Sequence, residues 1–340
     1  MDPNMARAIS GPANLMSKKM PLLFSKVAIG RAAARLVIGQ YQAGDRDGIK
    51  ALACAAALLG LAAAGPANAL TILFVGNSFT YGEHSAAKRY HPETVTDLNG
   101  PDLMGRTFGG MPAIFKAFTE EAGLDYQVSL ETVPGVGLDY HYSRKLPLID
   151  RAWDEVVLQS YSTLDLDHPA DPALLVQYAK QFDKVLKARN PQSRIFLSAT
   201  WSRPDLTYRT GQPWSGKSIK QMALDVQAGY ETALRATPTL TGVIPIGLAF
   251  NRAMAAGLAD PNPYDGIGAS QIDLWAYDKY HASVFGYYLE ALMVFGRVTG
   301  RDPLSLTAEE RVAEDFGFDP VQTQALQQIA HDQLAAAPPN

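Results

Sequence analysis

Cysteine is nearly missing from this chain: Cys54 is the single one in 340 residues. A lone thiol builds no disulfide framework and no multi-cysteine metal site. Positive charge is not in excess either, with 30 Lys+Arg against 34 Asp+Glu, so the composition does not point to nucleic acid. Charged residues are 19% and hydrophobic ones 47%, which excludes a coiled coil, a collagen-like fibre and a largely disordered chain. The chargeless run 51–64, ALACAAALLGLAAA, is fourteen residues long and falls short of a comfortable membrane span. What remains is a globular composition with enough apolar side chain for a sizeable core, at a length that allows two domains.

That apolar run has informative flanks. Arg46 and Lys50 precede it, and Gly65-Pro66 and Ala67-Asn68-Ala69 follow it. A basic flank, a short apolar stretch and A-x-A predict a signal peptide cleaved after Ala69, hence an exported protein, periplasmic or secreted, with no stable membrane anchor. An Ala-rich buried helix is the alternative. The stretch before the run far exceeds the few residues of an ordinary basic region, which fits a start assigned too early or a genuine extension. Cys54 does not predict lipidation, because the apolar run follows it instead of preceding it. Removing residues 1–69 leaves 22 of the 30 basic and 31 of the 34 acidic residues, net −9, on 271 residues without cysteine.

From residue 70 onward, short apolar runs rich in β-branched residues recur at 70–75, 126–133, 155–159, 194–199 and 242–246. Runs of this kind predict strands buried on both faces. Between them lie helical patterns at 112–122, 172–189, 218–235 and 283–298; Leu174, Leu175, Tyr178, Phe182, Val185 and Leu186 follow a period near 3.6. Alternating strands and helices predict an α/β fold with a mainly parallel sheet of about five strands covered on both faces. The organisation expected is a leader over 1–69, one domain over 70–300, and a helical extension over 301–340 packed on it. Polar loops at 201–218 and 258–277 sit where such folds place function.

Two motifs bear chemistry. Gly76-Asn77-Ser78-Phe79-Thr80 ends the first strand, where ligands bind in doubly wound sheets. A serine there can attack, and the N-terminus of a following helix can present N–H groups to an oxyanion; a mere helix cap reads the same way. Asp278-Lys279-Tyr280-His281 precedes the last main helix. His281 is the type of base a serine needs, and Asp278 can hold its second ring nitrogen; a capping Asp and a surface His would also account for it.

Taken together, GNSFT on the first strand and D-x-x-H near the C-terminus resemble the SGNH (GDSL-type) hydrolases, over residues 70 to about 300. The resemblance implies a three-layer α/β/α flavodoxin-like fold and hydrolysis of acyl esters. It maps Ser78 to the nucleophile, His281 to the base and Asp278 to its partner. The family's second block supplies an oxyanion-hole glycine, and Gly135 in Val133–Tyr140 takes that place, with Gly137 as alternative. The family's usual G-x-N-D block is absent. Gln159, after Trp153-Asp154, offers the same amide group as the missing Asn and resembles the Gln of the branch with GNSFT. The oxyanion hole expected is therefore Ser78, Gly135 and Gln159. Asn77, His141, Tyr161 and Trp201 are expected to line the substrate cleft, and the aromatic residues around the motifs hint at a carbohydrate ester, although aromatics also fill cores.

Gly211-Gln212-Pro213-Trp214-Ser215-Gly216-Lys217-Ser218 matches the phosphate-loop pattern in letters only. No buried strand precedes it, and Pro213 removes a backbone N–H the cradle needs. His84 and His91 lack a carboxylate at helical ligand spacing, and no H-E-x-x-H, EF-hand loop or G-x-G-x-x-G occurs, so neither a metal nor another cofactor is expected. The function expected is a serine esterase acting on short acyl groups such as acetyl, on a small molecule or carbohydrate. A longer-chain lipase or thioesterase, or a carbohydrate-binding protein on the same fold with little catalysis, is the alternative.

Overall fold

The computed structural model describes residues 69–336. The signal peptide expected from the sequence, with its cleavage site, falls almost wholly outside the described residues. Six parallel strands form one sheet: β1 (Leu70–Gly76), β2 (Thr96–Asp97), β3 (Tyr126–Thr132), β4 (Glu155–Leu158), β5 (Arg194–Ala199) and β6 (Gly242–Pro245). Their order is β2-β3-β1-β4-β5-β6. The five longer strands are those the apolar runs predict, in flavodoxin-like order. The sixth, β2, pairs with β3 through two residues only, too few to leave an apolar pattern.

The continuous apolarity of the strands has a simple cause. Successive side chains point to opposite faces, and helices cover both. Ile72 and Phe74 of β1 join one cluster while Leu73 and Val75 join the other. In the same way Val157, Phe196 and Ile244 face one side, and Val156, Leu158, Ile195, Leu197 and Val243 the other. The first face is covered by α1 (Gly110–Glu121), α4 (Ile246–Ala255) and α5 (Val284–Thr299), the second by α2 (Ala173–Arg189) and α3 (Ile219–Ala236). The tail forms α6 (Arg311–Phe316) and α7 (Pro320–Ala336). Leu326, Ile329 and Ala330 of α7 belong to the first cluster, so the extension shares the core of the domain. Among the described residues no helix is long and apolar enough to cross a membrane.

The phosphate-loop look-alike has another structural use. Trp214 at its centre is buried and donates Nε1–H to Asp225 at 2.8 Å, while Ser218 caps α3 by accepting from the Lys220 N–H. The loop is pinned to α3 by its tryptophan.

One core residue sits uneasily. Glu290 in α5 is fully buried and neither carboxylate oxygen meets a partner among the described residues. Burial pushes its pKa well above the ordinary carboxylate value. Below the unfolded-state pKa both states are protonated. As pH rises past that value the unfolded chain ionises and the folded one does not, so stability falls by about 1.4 kcal/mol per pH unit until the folded pKa is reached. Glu290→Met should therefore stabilise the fold by about 1 kcal/mol or more at pH 7.5, and by less at pH 5. Urea unfolding at the two pH values checks this; a gain that does not grow with pH contradicts it.

Candidate active site

The turn that carries Ser78 follows directly from the end of β1. Gly76 is the last strand residue, and a Cβ there would come within 2.2 Å of Thr80 Oγ1 and 2.7 Å of Gln159 Oε1, so only glycine fits. The chain then makes a single helical turn, Ser78–Tyr81, capped by Asn77, whose Oδ1 accepts the Phe79 N–H at 3.1 Å. This lies beyond the C-terminal sheet edge at β1, between β3 and β4, where the strand order reverses and doubly wound folds bind ligands. Ser78 is nearly buried, and its N–H meets no acceptor among the described residues, as expected at the start of a helix.

The D-x-x-H segment is brought to this turn from the other end of the chain. The Ser78 hydroxyl lies 2.9 Å from His281 Nε2, and His281 Nδ1 lies 2.6 Å from Asp278 Oδ2. Asp278 Oδ1 accepts the backbone N–H groups of Tyr280 and His281, each at 3.1 Å, which aims its second oxygen at the ring. The Asp278 carboxylate accepts the Nδ1–H of His281, so Nε2 is left as the acceptor facing serine. Burial lowers the His281 pKa, and the Asp278 carboxylate opposes that shift without cancelling it. Burial alone would raise Asp278, but the hydrogen bonds from the His281 ring and the two N–H groups hold it below its ordinary value. At neutral pH the site thus holds a neutral imidazole between a hydroxyl and a carboxylate.

The ring of His281 is held by its neighbours. Tyr280 packs on it with centroids 4.1 Å apart, and the Arg203 guanidinium lies 3.6 Å above the Tyr280 ring. Arg203 itself is held by Asp205 at 2.7 Å, and the Asp205 N–H reaches the Lys279 carbonyl. Phe79 supports the ring from within and stacks on Trp201 at 4.4 Å, which stacks on Phe250 at 5.2 Å.

Several expected site residues take other places. Trp201 is completely buried and donates Nε1–H to the Tyr280 carbonyl at 3.3 Å; it braces the triad from the core and does not line a cleft. His141 is also completely buried, with Nδ1 2.6 Å from Glu131 Oε2, and is likewise no cleft residue. Gln159 lies behind the nucleophile turn. Its Oε1 accepts the Asn77 N–H at 2.9 Å and the Thr80 hydroxyl at 3.2 Å, and its Nε2 donates to the Ser160 carbonyl. A carbonyl oxygen alone can accept from that N–H, so Gln159 braces Asn77 where an oxyanion donor was expected. Asn77 is a second brace: its Nδ2 donates to the carbonyls of Val136 at 2.8 Å and Ser160 at 3.3 Å, tying together the ends of β1, β3 and β4.

Gly135 stands in the loop after β3 with φ of 72°, solvent-exposed and with open space around its Cα. Gly137 is buried, with the Tyr161 ring 2.4 Å from where its Cβ would be, which leaves Gly135 the more accessible of the two. Tyr161 is half-buried beside that loop. His84, which in the sequence lacks a carboxylate at helical ligand spacing, stands beside Asp278, with Nε2 3.7 Å from Asp278 Oδ2. Neither Arg203 nor His84 leaves a local signal of its place beside His281, because the groups each meets there, the Tyr280 ring and the Asp278 carboxylate, lie far along the chain.

No protein-family model matches the chain, and no curated protein matches it. Among solved structures, a DUF4886 family protein from Bacteroides uniformis aligns with a TM-score of 0.53 at 16% identity, covering 78% of this chain and 95% of that one. That likeness establishes a shared fold. A lipase/acylhydrolase from Enterococcus faecalis aligns with a TM-score of 0.43 at 15% identity, covering 68% of this chain and 96% of that one. An acetylxylan esterase from Geobacillus stearothermophilus aligns with a TM-score of 0.42 at 18% identity, covering 68% and 94%.

Proposed function

We propose that this chain is an exported serine esterase of SGNH type that cleaves short acyl esters, acetyl foremost, from a carbohydrate or other small alcohol. The observation that carries the reading is the unbroken relay from Ser78 Oγ through His281 to Asp278, at 2.9 and 2.6 Å, at the sheet edge where such folds bind ligands.

The chemistry follows from the arrangement. The Ser78 oxygen attacks the ester carbonyl as His281 Nε2 takes its proton, and Asp278 steadies the imidazolium so formed. The oxyanion is met by the Ser78 N–H at the start of its helical turn and by the Gly135 N–H from the β3 loop. His281 then protonates the departing alcohol. Water, deprotonated by the same nitrogen, releases the acid and restores the serine.

The residues that fill the space around the serine bear on acyl size. Phe79, Trp201, Tyr280 and Phe250 form a closed aromatic stack against the inner side of the triad, which leaves little depth for a long acyl chain. Tyr277 is exposed beside the triad, and Tyr208 and Tyr264 make an exposed pair 6.2 Å apart on the two polar loops. Rings of this kind suit the face of a sugar. Export rests on the leader pattern before residue 70.

The test is a chain-length series of p-nitrophenyl esters together with acetylated sugars. Acetate should be preferred over octanoate by about tenfold or more in kcat/KM. The reverse preference would overturn the short-acyl reading in favour of a lipase or thioesterase.

A further inference from the structure

We propose that the mouth of the triad is a binding site for one zinc-type divalent cation, held by His84 Nε2, Asp278 Oδ2 and His281 Nδ1, and that the ion shuts the esterase off. The inference rests on the triad reading for its inhibitory half and on geometry alone for its binding half.

Two imidazoles and a carboxylate are a ligand set that zinc takes when it keeps a fourth position for water. One donor atom from each of the three residues lies within 4.8 Å of the other two. In a tetrahedral site with bonds of about 2.0–2.2 Å, ligand atoms stand roughly 3.2–3.6 Å apart. His84 Nε2 is already 3.7 Å from Asp278 Oδ2, and the rings of His84 and His281 are edge to face at 5.2 Å. The one contact that must open is the hydrogen bond from His281 Nδ1 to Asp278, now 2.6 Å.

His84 is held in place for this. Its backbone has φ of 60°, a conformation non-glycine residues seldom adopt, in a turn fixed by bonds from the Glu83 N–H to the Ser78 carbonyl and from the Ser85 N–H to the Gly82 carbonyl. The Tyr277 hydroxyl meets His84 Nδ1 at 2.8 Å. Occupying that nitrogen directs Nε2 toward Asp278, the outer-shell arrangement that metal-binding histidines require. Glu83 Oε1 lies 3.9 Å from His84 but is ion-paired with Lys88 at 2.7 Å, so the ion's charge is met by Asp278. The side chain of His84 is about a third exposed and Tyr277 is open to solvent, so an ion has a way in.

The consequence is chemical. A cation on Nδ1 of His281 takes that nitrogen's lone pair, and the single proton of the neutral ring moves to Nε2. The nitrogen that faces Ser78 then carries a hydrogen and has no lone pair to accept another. The proton of His84 stays on Nδ1 and is donated to Tyr277, and Asp278 remains a carboxylate.

The experiment has two readouts on the purified chain. In the first, Co²⁺ is titrated and visible absorption recorded; the expected result is a tetrahedral-type band that saturates at one ion per chain and is lost in His84→Asn and in His281→Gln. Asparagine tolerates the left-handed backbone at position 84, and circular dichroism shows whether the variant is folded. In the second, Zn²⁺ inhibition of p-nitrophenyl acetate hydrolysis is measured with each enzyme scaled to its own metal-free rate. Wild type should be inhibited and recover on chelation, and His84→Asn should need at least about tenfold more Zn²⁺. No cobalt band in the wild type, or equal zinc sensitivity in folded His84→Asn, overturns the proposal. A cobalt band in a chain that hydrolyses no ester would refute the esterase reading and uphold the ion site.

Discussion

Replacing Ser78 with alanine should lower kcat/KM on p-nitrophenyl acetate by about 10⁴-fold or more. The substitution removes one oxygen from a site whose other members stay in place. Asn77 still caps the turn through the Phe79 N–H, and Gln159 still holds the Asn77 N–H. The Ser78 carbonyl still accepts from the Tyr287 hydroxyl at 3.1 Å, since that contact belongs to the backbone. The fold should keep its unfolding midpoint, so a lost rate reports chemistry. What survives is the contribution of the oxyanion donors and of substrate binding.

The second large effect belongs to Asp278→Asn, expected to cost about 10³-fold or more in kcat. An amide at this position can donate to Nδ1, and the imidazole would then carry its proton on Nε2, facing the serine with no lone pair. The carboxylate also raises the His281 pKa against the lowering by burial; without it the imidazolium formed in the transition state loses its partner. In the wild-type enzyme His281 must be neutral to accept a proton, so kcat/KM should fall as pH drops through its pKa. Burial places that midpoint below the ordinary histidine value of about 6.5. A pH–rate profile checks this, with a midpoint above about 6.5 as the contrary result.

The legible parts of this protein are those whose signal is local. β1 reads as a strand buried on both faces because Ile72 and Phe74 meet one helical layer while Leu73 and Val75 meet the other. Ser78 is visible because a Gly-Asn-Ser turn ends that strand, and His281 because an aspartate stands three residues before it. β2 was not legible, being two residues held by β3. Gln159 was recognised as important but assigned the wrong end of its amide. Whether its oxygen or its nitrogen faces the turn is decided by the Asn77 N–H, 82 residues away. Trp201 and His141 are the types of residue that line clefts, yet tertiary packing buries both completely, one in an aromatic stack and one against Glu131. No pattern in the sequence distinguishes a tryptophan behind a catalytic ring from one in front of it.

The central claim is that Ser78 is an activated nucleophile. The most direct measurement is covalent labelling of the purified chain by a fluorophosphonate, read by intact mass and by mapping the modified peptide. One adduct per chain, on Ser78, absent from Ser78→Ala and strongly slowed in His281→Ala, is the predicted result. No adduct in the folded wild type, or an adduct on another serine that survives Ser78→Ala, would contradict it.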